Sequence, residues 1–326
     1  MKALIVSPAG PREQLGNAVT ANRWARCLEA LGLDVEIARE LGDHDVDLLV
    51  ALHARRSASS VARYSDRFLG RPIVLALTGT DLYRDLPADV EAARSLELAT
   101  RLVVLQEAAV ESLPEHLRDR ARVVHQSVDV SMVGDPVPPD GFQVCVLGHL
   151  RPVKDPLLAA RAARLVPDDS KLRVVHLGRA LSTAMEDAAR AETAANPRYE
   201  WRGELPRETA LSILAGSMLH CLTSHLEGGA NAVGEATVLG VPTISTQIPG
   251  SIGLLGCDYP GYFPVGDAEA LAALLDRSER ETAFRDSLKA ATDARAHLFA
   301  PARELAAWRD LLTELSIPTA PNLDDG

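Results

Sequence analysis

The chain has 326 residues, which at about 100 to 200 residues per domain predicts two domains, each long enough to bury its own core. Its formal charge of −11 excludes a general nucleic-acid surface, because phosphate binding draws on clustered Lys and Arg. Apolar residues make up 47% and aromatics 4%, and four cysteines far apart without CxxC spacing predict neither a zinc knuckle nor a disulfide framework, but a reducing cytoplasm.

The start MKALIVSPAG puts one lysine before a short apolar strand and a glycine loop, so neither a signal peptide nor a membrane partner is expected. Residues 3–7 read as that strand. Residues 18–31 follow with helical spacing of Val19, Cys27, Leu28 and Leu31, Trp24 falling less regularly, and Gly32 stops the helix. The next strand, 35–38, completes a parallel crossover unit. Further apolar runs at 48–52, 73–77, 102–105 and 123–125 alternate with helix-like sequence, as in a doubly wound sheet.

Residues 134–141 carry three prolines without periodicity and predict a connector. Alternation restarts beyond it, with strands at 143–147, 172–177, 199–202, 219–222 and 243–245. The expected fold is therefore α/β, two doubly wound, Rossmann-like domains over residues 1–134 and 141–298, facing each other across a cleft. A last helix at 301–315, within the segment 299–326, carries Trp308, Leu311 and Leu312 to pack back across the connector, and the tail after Pro318 should fray.

Ligands in such folds lie at the carboxyl ends of strands. After the strand 219–222 the chain reads SHLEGGANAVGEA, with Gly228 and Gly229 as a close-approach loop, Asn231 as a helix cap and Glu235 in the first turns. Amides of residues 228–231 suit an anion or sugar hydroxyl, and Glu227 and Glu235 suit a diol. Equally, Glu235 complements a helix dipole and Glu227 is a solvated loop residue.

After the strand 143–147 comes GHLRPVK, residues 148–154, in which Arg151 and Lys154 either clamp a diphosphate or form a solvated helix start. The loop 10–17, GPREQLGN, lacks GxGxxG spacing, so no dinucleotide fingerprint is present. Thr78 to Asp81 and Gln126 to Asp129 place donors at strand ends, a pattern that ordinary turn chemistry also produces. His53 and His149 lie just past strands, where a single histidine is either structural or catalytic. Asp45 and Asp47 match a DxD pattern by letters but precede a strand, so no metal and no other cofactor is expected.

Taken together, the Glu227–Glu235 stretch, the GxxxxxK run at 148–154, the Gly16-Asn17 loop and the GVP step at 240–242 resemble the retaining GT-B glycosyltransferases across essentially the whole chain. The resemblance implies that Glu235 binds the nucleotide ribose. It gives the donor sugar to Glu227 with Gly228, Gly229, Ala230 and Asn231, and the diphosphate to Arg151 and Lys154. His149 stands where that family usually has arginine, Thr78 where it has histidine, and QSVD at 126–129 where it has NGVD.

These variants, with SPAGPREQLGNAVTANRWA, LTGTDLYRDL and AWRDLL, are more closely similar to the selenosugar synthases of selenoneine biosynthesis. That likeness implies transfer of N-acetylglucosamine from UDP-N-acetylglucosamine to selenophosphate, with release of UDP and phosphate. A hydroxyl acceptor benefits from a base, whereas selenophosphate is already an anion with a soft nucleophilic selenium. The need is then an anion pocket, for which Arg12, Gly16, Asn17, Thr78 and Thr80 offer guanidinium, amide and hydroxyl donors. A conventional UDP-sugar transferase using a hydroxyl or thiol acceptor, and a noncatalytic nucleotide-sugar sensor, are the other readings.

Overall fold

A computed structural model describes residues 1–10, 16–86, 88–131, 133–139 and 141–320. It divides into two compact units, one of Met1–Ser127 with the segment from Ala300 onward, the other Val128–Phe299. Among the described residues no helix is long and apolar enough to cross a membrane.

In the first unit the strands are β1 (Lys2–Val6), β2 (Asp34–Ala38), β3 (Leu48–Leu52), β4 (Ile73–Leu77), β5 (Arg101–Val104) and β6 (Ala121–Val123). All pair in parallel in the order β2-β1-β3-β4-β5-β6. Both faces are covered, which is why β3 and β4 are apolar at every position and buried throughout. Leu4, Val6, Leu49 and Leu75 supply one core, while Ile5, Leu48, Val50 and Val74 supply the other.

The second of these cores is closed by the helices Gly16–Ala30 and Pro301–Glu314. Trp24 and Trp308, both fully buried, meet edge to face with centroids 5.0 Å apart. Beneath them the buried carboxylate of Glu304 accepts from Arg23 Nε at 3.0 Å, Trp24 Nε1 at 2.8 Å and the Ser127 amide at 3.0 Å, and from the Ser127 hydroxyl. Donors face both of its oxygens, so an amide nitrogen there meets another donor whichever way it turns. Glu304→Gln is accordingly expected to cost about 2 kcal/mol of stability, read as a lowered urea midpoint at unchanged slope.

The second unit repeats the plan with β7 (Phe142–Leu147), β8 (Leu172–Leu177), β9 (Tyr199–Trp201), β10 (Leu219–Leu222), β11 (Thr243–Thr246) and β12 (Tyr262–Phe263). They are parallel, in the order β12-β11-β10-β7-β8-β9. The proline-rich stretch belongs to this unit, and its Val137 amide donates to the Ser212 carbonyl at 3.1 Å. In this sheet the chain starts in the middle, winds outward through β8 and β9, then crosses to β10 on the other side of β7. The loops leaving β7 and β10 therefore diverge to opposite faces and open a crevice between their carboxyl ends.

Candidate functional site

The crevice of the second unit is bounded by the two segments whose composition pointed to a ligand. After β7 the chain runs Gly148, His149, Leu150, Arg151 and a short turn, Pro152–Lys154; after β10 it runs from Thr223 to the helix Asn231–Val238. Backbone and side chains stitch the loops together. The His225 amide donates to the Val153 carbonyl at 2.8 Å, and the Thr223 hydroxyl to the Lys154 carbonyl at 2.8 Å.

At this seam Lys154 Nζ donates to Glu227 Oε1 at 2.8 Å, and Ser224 Oγ donates to the same oxygen at 2.6 Å. The lysine side chain retains 22% exposure and the glutamate 11%, so the pair is shielded yet reachable. Burial pushes the Glu227 carboxyl pKa up, but the Lys154 charge, hydrogen bonds from Lys154 and Ser224, and the Arg151 charge outweigh it and hold the value below the usual range. Glu227 is thus an ionised acceptor. Arg151 stands exposed beside the turn in an extended conformation.

Underneath, His176 near the end of β8 supports the first loop. Its Nε2 lies 3.0 Å from the Gly148 carbonyl, which can only accept, so Nε2 carries the hydrogen and Nδ1 takes one from the Tyr199 hydroxyl at 3.1 Å. Gly178, just past β8 and with φ +150°, lets the loops leaving β7 and β8 nest: a Cβ there would lie 2.1 Å from the Gly148 carbonyl oxygen. Burial pulls the His176 pKa down to about 4. His220, on β10, is drawn down to about 3 by burial and then by the Lys154 charge.

Both histidines therefore stay neutral in the fold while the unfolded chain takes up protons below about pH 6.5. Stability is greatest above that value and falls as pH drops toward the folded values, by about 1.4 kcal/mol per pH unit for each ring. Urea midpoints measured between about pH 7 and about pH 5 should show this decline. His176→Gln, which keeps a donor toward Gly148, should remove its share of the decline and leave that of His220.

The other expected residues are held by partners within the protein, and the expected cap is displaced by one residue. Asn231 is not the helix cap; Ala230 is, without a side-chain bond, because the chain turns helical one residue earlier than Asn231 would require to cap it. Glu235 is buried at 5% exposure, and its Oε1 accepts from Arg207 Nη1, the first residue of the helix Arg207–Ala215. His149 accepts from the Arg179 amide through Nδ1 at 3.1 Å. Gly228 is buried and Gly229 half-buried in the loop leading to the helix. Arg207 and Ser224 carried no motif signal; Ser224 was discoverable as the serine three residues before Glu227.

In the first unit Gly16 and Asn17 open the helix Gly16–Ala30, Gly16 exposed and Asn17 half-buried. Arg12 lies outside the described residues. Thr78 and Thr80 follow β4, but the amides of Thr78 and Gly79 both turn inward onto Asp81, at 3.0 Å and 2.8 Å. Thr78 is thus left its hydroxyl for an anion, since the buried Asp81 carboxylate has already taken its amide and that of Gly79. The 126–129 stretch is also structural: Gln126 donates to Thr20 at 2.6 Å, Ser127 bonds Glu304, and Asp129 accepts from the Ser131 amide at 2.9 Å.

A family model described as glycosyl transferases group 1 matches residues 133–295, half of the 326. The fold is similar to that of HepE from Anabaena in complex with UDP and glucose, at 14% identity and a TM-score of 0.77, over 96% of this chain and 100% of that one. Sucrose-phosphate synthase from Thermosynechococcus elongatus gives 14% identity and 0.77, over 97% and 98%. The pneumococcal O-GlcNAc transferase GtfA, in complex with UDP and GlcNAc, gives 16% and 0.65, over 82% and 57%. At these identities the likeness is one of fold. None of the curated proteins matches the chain.

Proposed function

This chain belongs to the glycosyl transferases group 1 family, and we propose that it transfers N-acetylglucosamine from UDP-N-acetylglucosamine to selenophosphate. The carrying observation is the Lys154–Glu227 pair at the diverging loops of β7 and β10. A cation held there by a carboxylate is positioned to exchange that partner for a diphosphate. HepE and GtfA, whose structures hold UDP, lend the donor reading further support.

On donor binding Lys154 and Arg151 take the diphosphate, and Glu227, released, accepts from sugar hydroxyls alongside the amides of Gly228 to Asn231. Glu235 accepts from the ribose, and His149 borders the diphosphate. A selenium lone pair attacks the anomeric carbon; the C–Se bond forms as the bond to the UDP oxygen breaks, and its electron pair leaves with UDP. Positive charge at Lys154 and Arg151 stabilises that growing charge. Water then attacks phosphorus, the P–Se bond breaks with its electrons on selenium, and a selenol and phosphate result. No base is needed to ionise the acceptor, whose oxyanion falls to Arg12, Gly16, Asn17, Thr78 and Thr80. This acceptor assignment is supported by the likeness of those segments to selenosugar synthases.

The test is the purified protein with UDP-N-acetylglucosamine and selenophosphate generated in place, followed by mass spectrometry. A selenium-bearing N-acetylhexosamine with matching UDP release is expected. Transfer to a hydroxyl or thiol with no selenosugar would assign a conventional acceptor instead, and tight donor binding without turnover would assign a sensor.

A further inference from the structure

In the first unit the strand order changes direction between β1 and β3, so its own crevice opens at their carboxyl ends. The residue immediately after β3 is His53. Its backbone is left-handed, with φ +75°, a conformation uncommon outside glycine and one that histidine tolerates better than most residues. Its amide donates to the Ala76 carbonyl at 2.9 Å and its carbonyl accepts from the Ser57 amide at 3.1 Å, so the surroundings hold that conformation in place.

The ring is 2% exposed and has a defined tautomer. The Arg56 amide, which can only donate, approaches Nδ1 at 3.4 Å, which leaves the hydrogen on Nε2. Nε2 lies 3.3 Å from the Thr80 oxygen and 3.8 Å from Asp85. Burial lowers the His53 pKa, against the opposing charges of Asp81 and Asp85, and so favours the neutral ring. Thr80 makes no side-chain cap bond to the turn that follows it.

We propose that His53 is a positioning residue: by donating to the Thr80 oxygen it turns the Thr80 hydroxyl hydrogen outward, making it a directed donor to a phosphate-type oxyanion. Asp81 gives this hydroxyl its weight, because it withdraws the Thr78 and Gly79 amides that a phosphate loop would otherwise offer. The inference rests on the reading that the first unit takes an anionic acceptor, and it adds a residue outside the acceptor set named above.

The test uses inorganic phosphate as the binding probe and selenophosphate as substrate, with His53→Asn, His53→Gln, Thr80→Val and the double variant His53→Asn/Thr80→Val. Asparagine tolerates the left-handed backbone but is too short to reach Thr80, whereas glutamine can present a donor near the Nε2 position. His53→Asn and Thr80→Val should each weaken phosphate binding and raise the acceptor KM by about tenfold, with the donor KM unchanged. The double variant should be no worse than either single one, and His53→Gln should restore most of the loss. Multiplying effects, a matching rise in donor KM, or wild-type protein that does not bind phosphate would overturn the proposal. Should His53→Asn make selenosugar at the wild-type acceptor KM, the positioning role fails and the proposed reaction stands. Should phosphate binding depend on both residues while no selenosugar forms, the role stands and the acceptor identity fails.

Discussion

Lys154→Ala is expected to lower kcat/KM for the sugar nucleotide by about 10²- to 10³-fold. Its ammonium sits 2.8 Å from the Glu227 carboxylate in a seam closed by hydrogen bonds between the two loops, where solvent screens it little. A charge in that position gains most from negative charge that grows as UDP departs, so kcat should carry more of the loss than KM. The substitution also leaves Glu227 without its counter-ion, which lowers stability for a reason unrelated to catalysis. Lys154→Ala/Glu227→Gln separates the two effects: it should regain stability relative to Lys154→Ala and recover no activity. Steady-state kinetics paired with urea unfolding reads both quantities.

Gly250→Ala is expected to act on the same carboxylate from behind. Gly250 is the second residue of the helix Pro249–Leu255, which follows β11, and a Cβ there would lie 2.1 Å from the Glu227 carbonyl oxygen and 2.8 Å from its carbon. The obstacle is backbone, so no rotamer change relieves the clash and either the helix start or the Glu227 loop must move. Overpacking of this kind costs about 1–3 kcal/mol. Displacement of Glu227 from Lys154 should also raise the donor KM by about tenfold or more. A variant with wild-type melting temperature and donor KM would show that the loop does not need its close seat on the helix.

Much of the fold is written in apolar runs. Strands buried on both faces, such as Leu48–Leu52 and Ile73–Leu77, stand out because every position must be apolar. The two-residue strand Tyr262–Phe263 does not, since so short a run has no period to recognise. Trp308, Leu311 and Leu312 identified the apolar face of the last helix, but not Glu304, whose partners Arg23 and Trp24 lie some 280 positions away in the chain. Its carboxylate resembles any helix-surface glutamate until the fold buries it.

Site residues divide along the same line. Strand ends followed by glycine made the loops at Gly148 and Gly228 visible, and the fold brings Lys154 and Glu227 from those loops into contact. Pairings between distant segments were not readable, whether Arg207 with Glu235 or the Arg179 amide with His149. At Thr78 the letters suggested open amide donors, whereas Asp81, three residues on, folds back to bind them. Asp81 is also engaged by the Ala54 amide at 3.0 Å, so its carboxylate ties the β3 and β4 loops together.

Calorimetric titration of UDP into the wild-type chain and into Lys154→Ala tests most directly whether the loops of β7 and β10 hold a nucleoside diphosphate. The expected result is one saturable site in the wild type, weakened by about 10- to 100-fold in the variant, as loss of a charged hydrogen bond predicts. Absence of UDP binding to the wild type, or equal affinity in the two proteins, would contradict it.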